Sequence, residues 1–270
     1  MFSIIFAYSL FVQMLSSFPG EHFLEAQKKQ NSIKPISITF DDGPHKIRTN
    51  KILDILKSEN VPATFFVVGN RLPKEGDILR RMRKEWHEIG NHSFSHPEFP
   101  KLWWEKLIQE VIFTNISIWL QTGEYPKYFR FPYGLGDTRV CLFFNGKNIG
   151  WNVDGTDWKE KNPTRLVNTI VHQTRSGSII LLHDIKEDTV LALPLIIKKL
   201  KSEWYTFVSL DVLLPKEQTK AQKQWIWVNA TKNIAIQKKK ENMQRMELVE
   251  LHEKNEEWIE ENMHVWMFNF

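Results

Sequence analysis

The chain has 270 residues, of which 42% are hydrophobic and 25% charged. That balance excludes wholesale disorder and provides enough chain to bury a sizeable core. The formal net charge of +4 is too small to argue for a nucleic-acid partner, although it suits an anionic envelope or polymer. A single cysteine, Cys141, excludes an intramolecular disulfide and a cysteine-built zinc site, so any metal must sit among histidines and carboxylates.

Met1 to Gly20 carries no charged side chain, and Ile4 to Leu15 is apolar enough for the core of a secretory signal or a short membrane anchor. Residues 1–30 are therefore expected to be a signal peptide or membrane anchor. The protein is expected to be extracytoplasmic, secreted or attached to a membrane through this end. The competing expectation is an N-terminal helix packed on the domain.

From Pro35 to Leu214 strand-like and helix-like segments alternate. Ile36 to Phe40 reads as a strand and Ile47 to Lys57 has helical spacing. Thr64 to Val68 is a buried strand, Glu75 to Trp86 a charged helix and Ile89 to Asn91 a short strand. Leu102 to Leu120 is a long amphipathic helix. Tyr128 to Arg130 and Gly150 to Val153 are strand-like, with an ill-defined segment between them. Pro163 opens a helix to Arg175, Ser178 to Leu182 is a strand, Val190 to Lys201 a helix and Thr206 to Val208 a last strand. Some seven β/α units point to a parallel sheet or closed barrel, with chemistry on the loops after the strands.

Beyond Pro215, Lys216 to Arg245 is mostly basic and Glu247 to Glu261 mostly acidic, both with interleaved apolar residues. We expect residues 216–270 to be a charged amphipathic, mainly helical extension that docks on the domain or on a partner.

Five short motifs fall at the ends of predicted strands. Asp41-Asp42-Gly43-Pro44 follows the first, where adjacent carboxylates can diverge, although alone it is an ordinary turn. His92 and His96 follow the third, and two histidines four apart can meet one metal ion when the chain makes a helical turn. A carboxylate from another loop would complete a two-histidine, one-carboxylate set with open positions. Arg130-Phe131-Pro132-Tyr133-Gly134 follows the fourth strand and offers a cation for a neighbouring carboxylate. Asp154 to Trp158 follows the fifth. Leu181-Leu182-His183-Asp184 ends the sixth, where a histidine paired with a carboxylate is a candidate general acid. Each motif alone is weak; all five at strand ends are not explained by chance turns.

In order and spacing these segments resemble the five motifs of the polysaccharide deacetylases, carbohydrate esterase family 4, over about two-thirds of the chain. The resemblance implies an irregular TIM-like (β/α)7 barrel over residues 31–215, with the C-terminal extension having no counterpart in the minimal domain. It implies that Asp42, His92 and His96 hold a divalent metal, Zn²⁺ first, with Co²⁺, Ni²⁺ or Mn²⁺ also suited. Asp41 would be the general base and His183 the general acid. Arg130 would orient Asp41, Asp157 would orient His183 and favour its charged form, and the Tyr133 backbone N–H would hold the oxyanion. Trp158 and Leu181 would cup the acetyl methyl, a pocket that discriminates by roughly 1–3 kcal/mol per methylene.

The implied reaction is removal of N-acetyl groups from a β-1,4-linked N-acetylglucosamine polymer, peptidoglycan first and chitin oligomers second. Alternatives are O-deacetylation of xylan, a small-molecule amidohydrolase, and a sugar-binding module that has lost its chemistry. The segment from Gly134 to Trp151 is shorter than the family's usual helix and strand, so one barrel unit is expected to be reduced.

Overall fold

The protein is described here by a computed structural model covering residues 34–144 and 146–214. The expected signal or anchor and the C-terminal extension lie outside the described residues. The first strand, β1 (Lys34–Asp41), alternates Ile36, Ile38 and Phe40 with Ser37, Thr39 and Asp41. Helix α1 (Arg48–Ser58) follows, then β2 (Ala63–Val67), α2 (Leu72–Lys84) and β3 (Glu88–Asn91). The long helix α3 (Trp104–Thr122) stops at Gly123, whose φ of 74° is the left-handed backbone that ends helices without a side-chain clash. Next come β4 (Tyr128–Phe129), β5 (Lys147–Asn148) and β6 (Val153–Asp154).

Helix α4 (Pro163–Gln173) starts on a proline, and the Asn162 side chain accepts from the Thr164 and Arg165 N–H groups. Strand β7 (Ile179–His183), helix α5 (Glu187–Ser202), strand β8 (Tyr205–Phe207) and the short helix α6 (Leu210–Leu213) complete the domain. In α5 the acidic Glu187 and Asp188 occupy the first turn, where the helix dipole favours them. Among the described residues no helix is long and apolar enough to cross a membrane.

All the strand pairs are parallel, in the order β5-β4-β3-β2-β1-β7-β6, with β8 added to the N-terminal end of β1. No ladder joins β5 to β6 among the described residues, so the sheet is a curled half-barrel wrapped by helices, as the β/α alternation predicts. Period-two alternation sorts the side chains. Ile36, Ile38, Phe40, Phe65, Ile180 and Leu182 pack outward against Leu53, Leu56, Ile196 and Ile197 in the main core. Thr39, Asp41, Phe66, Leu181 and His183, out of phase with that set, face the barrel interior. A smaller cluster around Phe99, Phe129, Phe131 and Phe144 closes the side where the sheet is thin.

The reduced unit lies where the sequence places it. Between Pro132 and Leu142 the chain makes two 3₁₀ turns in place of a helix. One expectation needs correction: the strand read at Gly150 to Val153 is only the two-residue β6, which it meets at Val153, and the ill-defined segment before it holds a further strand, β5, on the opposite edge of the sheet. Gly134, Gly136, Gly146 and Gly150 deny this stretch the apolar periodicity that marks an element.

Candidate active site

Strand register assembles the site. Asp41, the last residue of β1, pairs with Phe66 of β2 on one side and with His183 of β7 on the other. His92 follows β3 directly, and Arg130 follows β4. The chain leaves β1 through Asp42 at φ 74°, which turns successive carboxylates in different directions.

Asp42, His92 and His96 each offer one ligand atom, and these atoms lie within 4.8 Å of one another. His96 Nε2 is 3.1 Å and His92 Nε2 3.5 Å from Asp42 Oδ1. His92 Nδ1 lies 2.8 Å from the Arg130 carbonyl. Nδ1 therefore donates to that oxygen, and Nε2 is turned toward the carboxylate. Asp42 Oδ1 is buried with no hydrogen-bond partner. Burial opposes charge on Asp42, yet the two imidazoles hold its carboxyl far below the ordinary range. Three ligand atoms converging on one point, with an orphaned carboxylate oxygen among them, fit a divalent cation bound by two nitrogens and one oxygen.

Beside this cluster stands a buried ion pair. Arg130, 1% exposed, donates from Nη1 to Asp41 Oδ1 at 2.8 Å and to Thr39 Oγ1 at 2.7 Å. Its other nitrogens donate to the Ile149 and Gly150 carbonyls, both at 3.0 Å. The guanidinium lies over the Phe66 ring at 4.1 Å and the Trp151 ring at 5.6 Å. Four of its five N–H donors are thus satisfied, and the rings cover the faces, as a buried cation needs. Asp41 is fixed through Oδ1, while Oδ2 faces the ligand cluster, 3.7 Å from His92 Nε2.

Opposite Asp41, His183 Nδ1 is 2.7 Å from Asp157 Oδ1. Asp157 Oδ2 accepts from the His183 N–H at 2.7 Å and from Thr189 Oγ1 at 2.5 Å. Burial works against the imidazolium, but the Asp157 bond and charge, joined by Asp41 and Asp42, outweigh it and raise His183 to about 9. His183 is therefore a cation at neutral pH.

Tyr133 has φ 59°, and its ring centroid is 4.6 Å from that of His96 on the open rim of the site. Leu181 is buried two residues before His183 on the same face of β7, whereas Trp158, next to Asp157, is half exposed. The structure thus gathers Asp41, Asp42, His92, His96, Arg130, His183 and Asp157. Tyr133, Leu181 and Trp158 border them in space or along the chain.

Several supporting groups went unread in the sequence. Thr39 and Thr189 each complete a carboxylate or guanidinium network. Asp184 is buried, accepts from Thr49 Oγ1 at 2.6 Å, and burial pushes its carboxyl up to about 7. Gly43 lies so close to Asp184 that a Cβ there would overlap the carboxylate. Glu110 falls on the buried stripe of α3 with Leu107, Val111, Thr114 and Ile118. A lone charge on an uncharged, buried stripe is a signal that helical spacing exposes.

Residues 28–149 match the sequence profile described as polysaccharide deacetylase. The peptidoglycan-N-acetylglucosamine deacetylase PgdA of Listeria monocytogenes is 36% identical over 185 residues, 68% of this chain and 40% of that protein. The chain thus matches well under two-thirds of that relative's length. A peptidoglycan-N-acetylglucosamine deacetylase of Bacillus cereus is 35% identical over 194 residues, covering 68% of this chain and 90% of that one. The structure of peptidoglycan deacetylase PdaC from Bacillus subtilis superposes with a TM-score of 0.65 at 36% identity, covering 73% of this chain and 96% of that chain. With the half-barrel and the strand-end carboxylates and histidines, these likenesses show that the chain belongs to the polysaccharide deacetylase family.

Proposed function

We propose that the protein is a metal-dependent hydrolase that removes N-acetyl groups from β-1,4-linked N-acetylglucosamine polymers, with peptidoglycan as its first substrate. The observation that carries this reading is the division of labour between two adjacent carboxylates. Asp42 joins the two histidines, whereas Asp41 is held aside by Arg130 and faces a charged His183 across the strand register.

A divalent cation held by Asp42, His92 and His96, with Zn²⁺ the best match to two imidazoles and a carboxylate, would polarise the acetamide carbonyl and acidify a water. The chain's own residues do the rest. Asp41 Oδ2 accepts a proton from the attacking water, and Arg130 fixes its orientation. The Tyr133 N–H donates to the developing oxyanion. His183 gives its proton to the departing amine as the C–N bond breaks, while Asp157 holds the ring through Nδ1. The products are acetate and a free glucosamine unit. Leu181 and Trp158 wall the acetyl methyl and disfavour longer acyl groups.

We read residues 31–215 as the catalytic domain, 1–30 as a signal or anchor and 216–270 as an appended amphipathic segment. An extracytoplasmic location would put the enzyme where peptidoglycan is. The test is acetate release by metal-depleted protein, with and without added Zn²⁺, from peptidoglycan, chitopentaose and acetylated xylan. Zn²⁺-dependent release fastest from peptidoglycan is expected. Release from xylan alone would replace the amide substrate with an ester.

A further inference from the structure

We propose that Glu110 is a positioning residue for the metal ligands, clamping the loop from His92 to His96 in the strained form that makes the two imidazoles converge. The proposal rests on the function given above and adds a residue to it.

The loop is held in an unfavourable conformation. Ser93 has φ 67° and His96 φ 61°, left-handed values that residues other than glycine avoid and that persist only where surroundings over-determine them. Two anchors supply that constraint, and both lead to α3. At the first, Asn91 Oδ1 accepts the Ser93 N–H at 2.7 Å, while Asn91 Nδ2 donates to the Val111 carbonyl at 2.9 Å and to Asn115 Oδ1 at 2.8 Å. The His96 N–H then donates to Ser93 Oγ at 3.0 Å. At the second, Glu110 takes Ser95 with both oxygens. Oε2 accepts the Ser95 N–H and Oε1 the Ser95 hydroxyl, each at 2.7 Å.

Packing does not explain a carboxylate at this place. Glu110 is 0% exposed and is the one charged residue on the helix's buried stripe, and its cationic neighbour, Lys106 at 3.2 Å, is 51% exposed. Burying a carboxylate for one solvent-screened lysine loses more in desolvation than it returns, and a leucine would fill the stripe better. The two Ser95 bonds restore the balance, and their geometry fixes the residue immediately before His96. Because Ser95 offers a backbone N–H and a hydroxyl together, the carboxylate sets orientation as well as position. Outer groups of this kind tune metal affinity by about 10- to 100-fold.

The experiment is calorimetric titration of the metal-depleted full chain with Zn²⁺. Wild type is compared with Glu110→Gln, Ser95→Ala and, as a control on an exposed position of the same helix, Glu105→Gln. Glu110→Gln is expected to weaken Zn²⁺ binding by about 10- to 100-fold, and Ser95→Ala by about threefold or more. Glu105→Gln is expected to bind like wild type. Acetate release by Glu110→Gln at limiting Zn²⁺ should fall and return with excess Zn²⁺, which a general loss of fold would not allow. A folded Glu110→Gln chain that binds Zn²⁺ as wild type does overturns the clamp while leaving the proposed function standing. If Glu110→Gln does not fold, Ser95→Ala decides, and unchanged affinity there overturns the clamp. A wild-type chain that takes up no Zn²⁺ removes the proposed function and the clamp together.

Discussion

Asp41 and Asp42 are neighbours in the chain with different roles because the backbone turns between them. Asp41 still belongs to β1 and points into the barrel, where Arg130 takes Oδ1 at 2.8 Å. Asp42, at φ 74°, swings toward His92 and His96. The same economy governs His183, whose value of about 9 depends on Asp157. The acid must carry a proton to act, so catalysis should fall as pH rises through about 9. Asp157→Asn removes the partner charge and should move that alkaline limb down toward about 6.5, the ordinary histidine value. A pH profile of kcat for the variant checks this, and a limb that stays put would assign it to another group. The motif residues were legible because each sits where a turn breaks a strand. Glu110 and Thr189 were not, since what they hold lies 15 and 32 residues away in sequence.

At the scale of elements, β1 carries both the core and the chemistry on opposite faces. Phe40 is fully buried and stacks on Phe65 with ring centroids 5.1 Å apart, while Thr39 and Asp41 line the site. Phe40→Ala should cost about 3–5 kcal/mol in denaturant unfolding. What survives should have a KM close to wild type, because the deleted ring never meets substrate. A loss under about 1 kcal/mol would mean that the outer face of β1 is less tightly packed than its burial shows. Strands β1, β2 and β7 were readable from apolar runs. Strand β5 was not, and β6 was read out of place, because this glycine-rich stretch holds no apolar run to mark them. Their function is local: the carbonyls of Ile149 and Gly150, in the link between them, receive the Arg130 guanidinium. A segment that looks empty in sequence thus holds the cation that orients the base.

For the whole molecule, the half-barrel gathers residues from Asp41 to His183 at one rim, and a cation there would tie β1 to the loop after β3. Ligand binding to the folded state alone raises stability, by about 2.7 kcal/mol at a hundredfold excess over Kd. Saturating Zn²⁺ should therefore raise Tm, EDTA should reverse the rise, and Asp42→Ala should abolish it. A Tm indifferent to Zn²⁺ would remove the metal from the mechanism. If Asp41 serves as base beside a separate metal site, removing its charge slows the chemistry without releasing the metal. Acetate release from peptidoglycan is followed for wild type and Asp41→Asn, with bound Zn²⁺ measured in both. Both proteins are expected to hold Zn²⁺, with the variant slower by about 10²- to 10⁴-fold. An Asp41→Asn protein that holds Zn²⁺ and still releases acetate near the wild-type rate would contradict that role for Asp41.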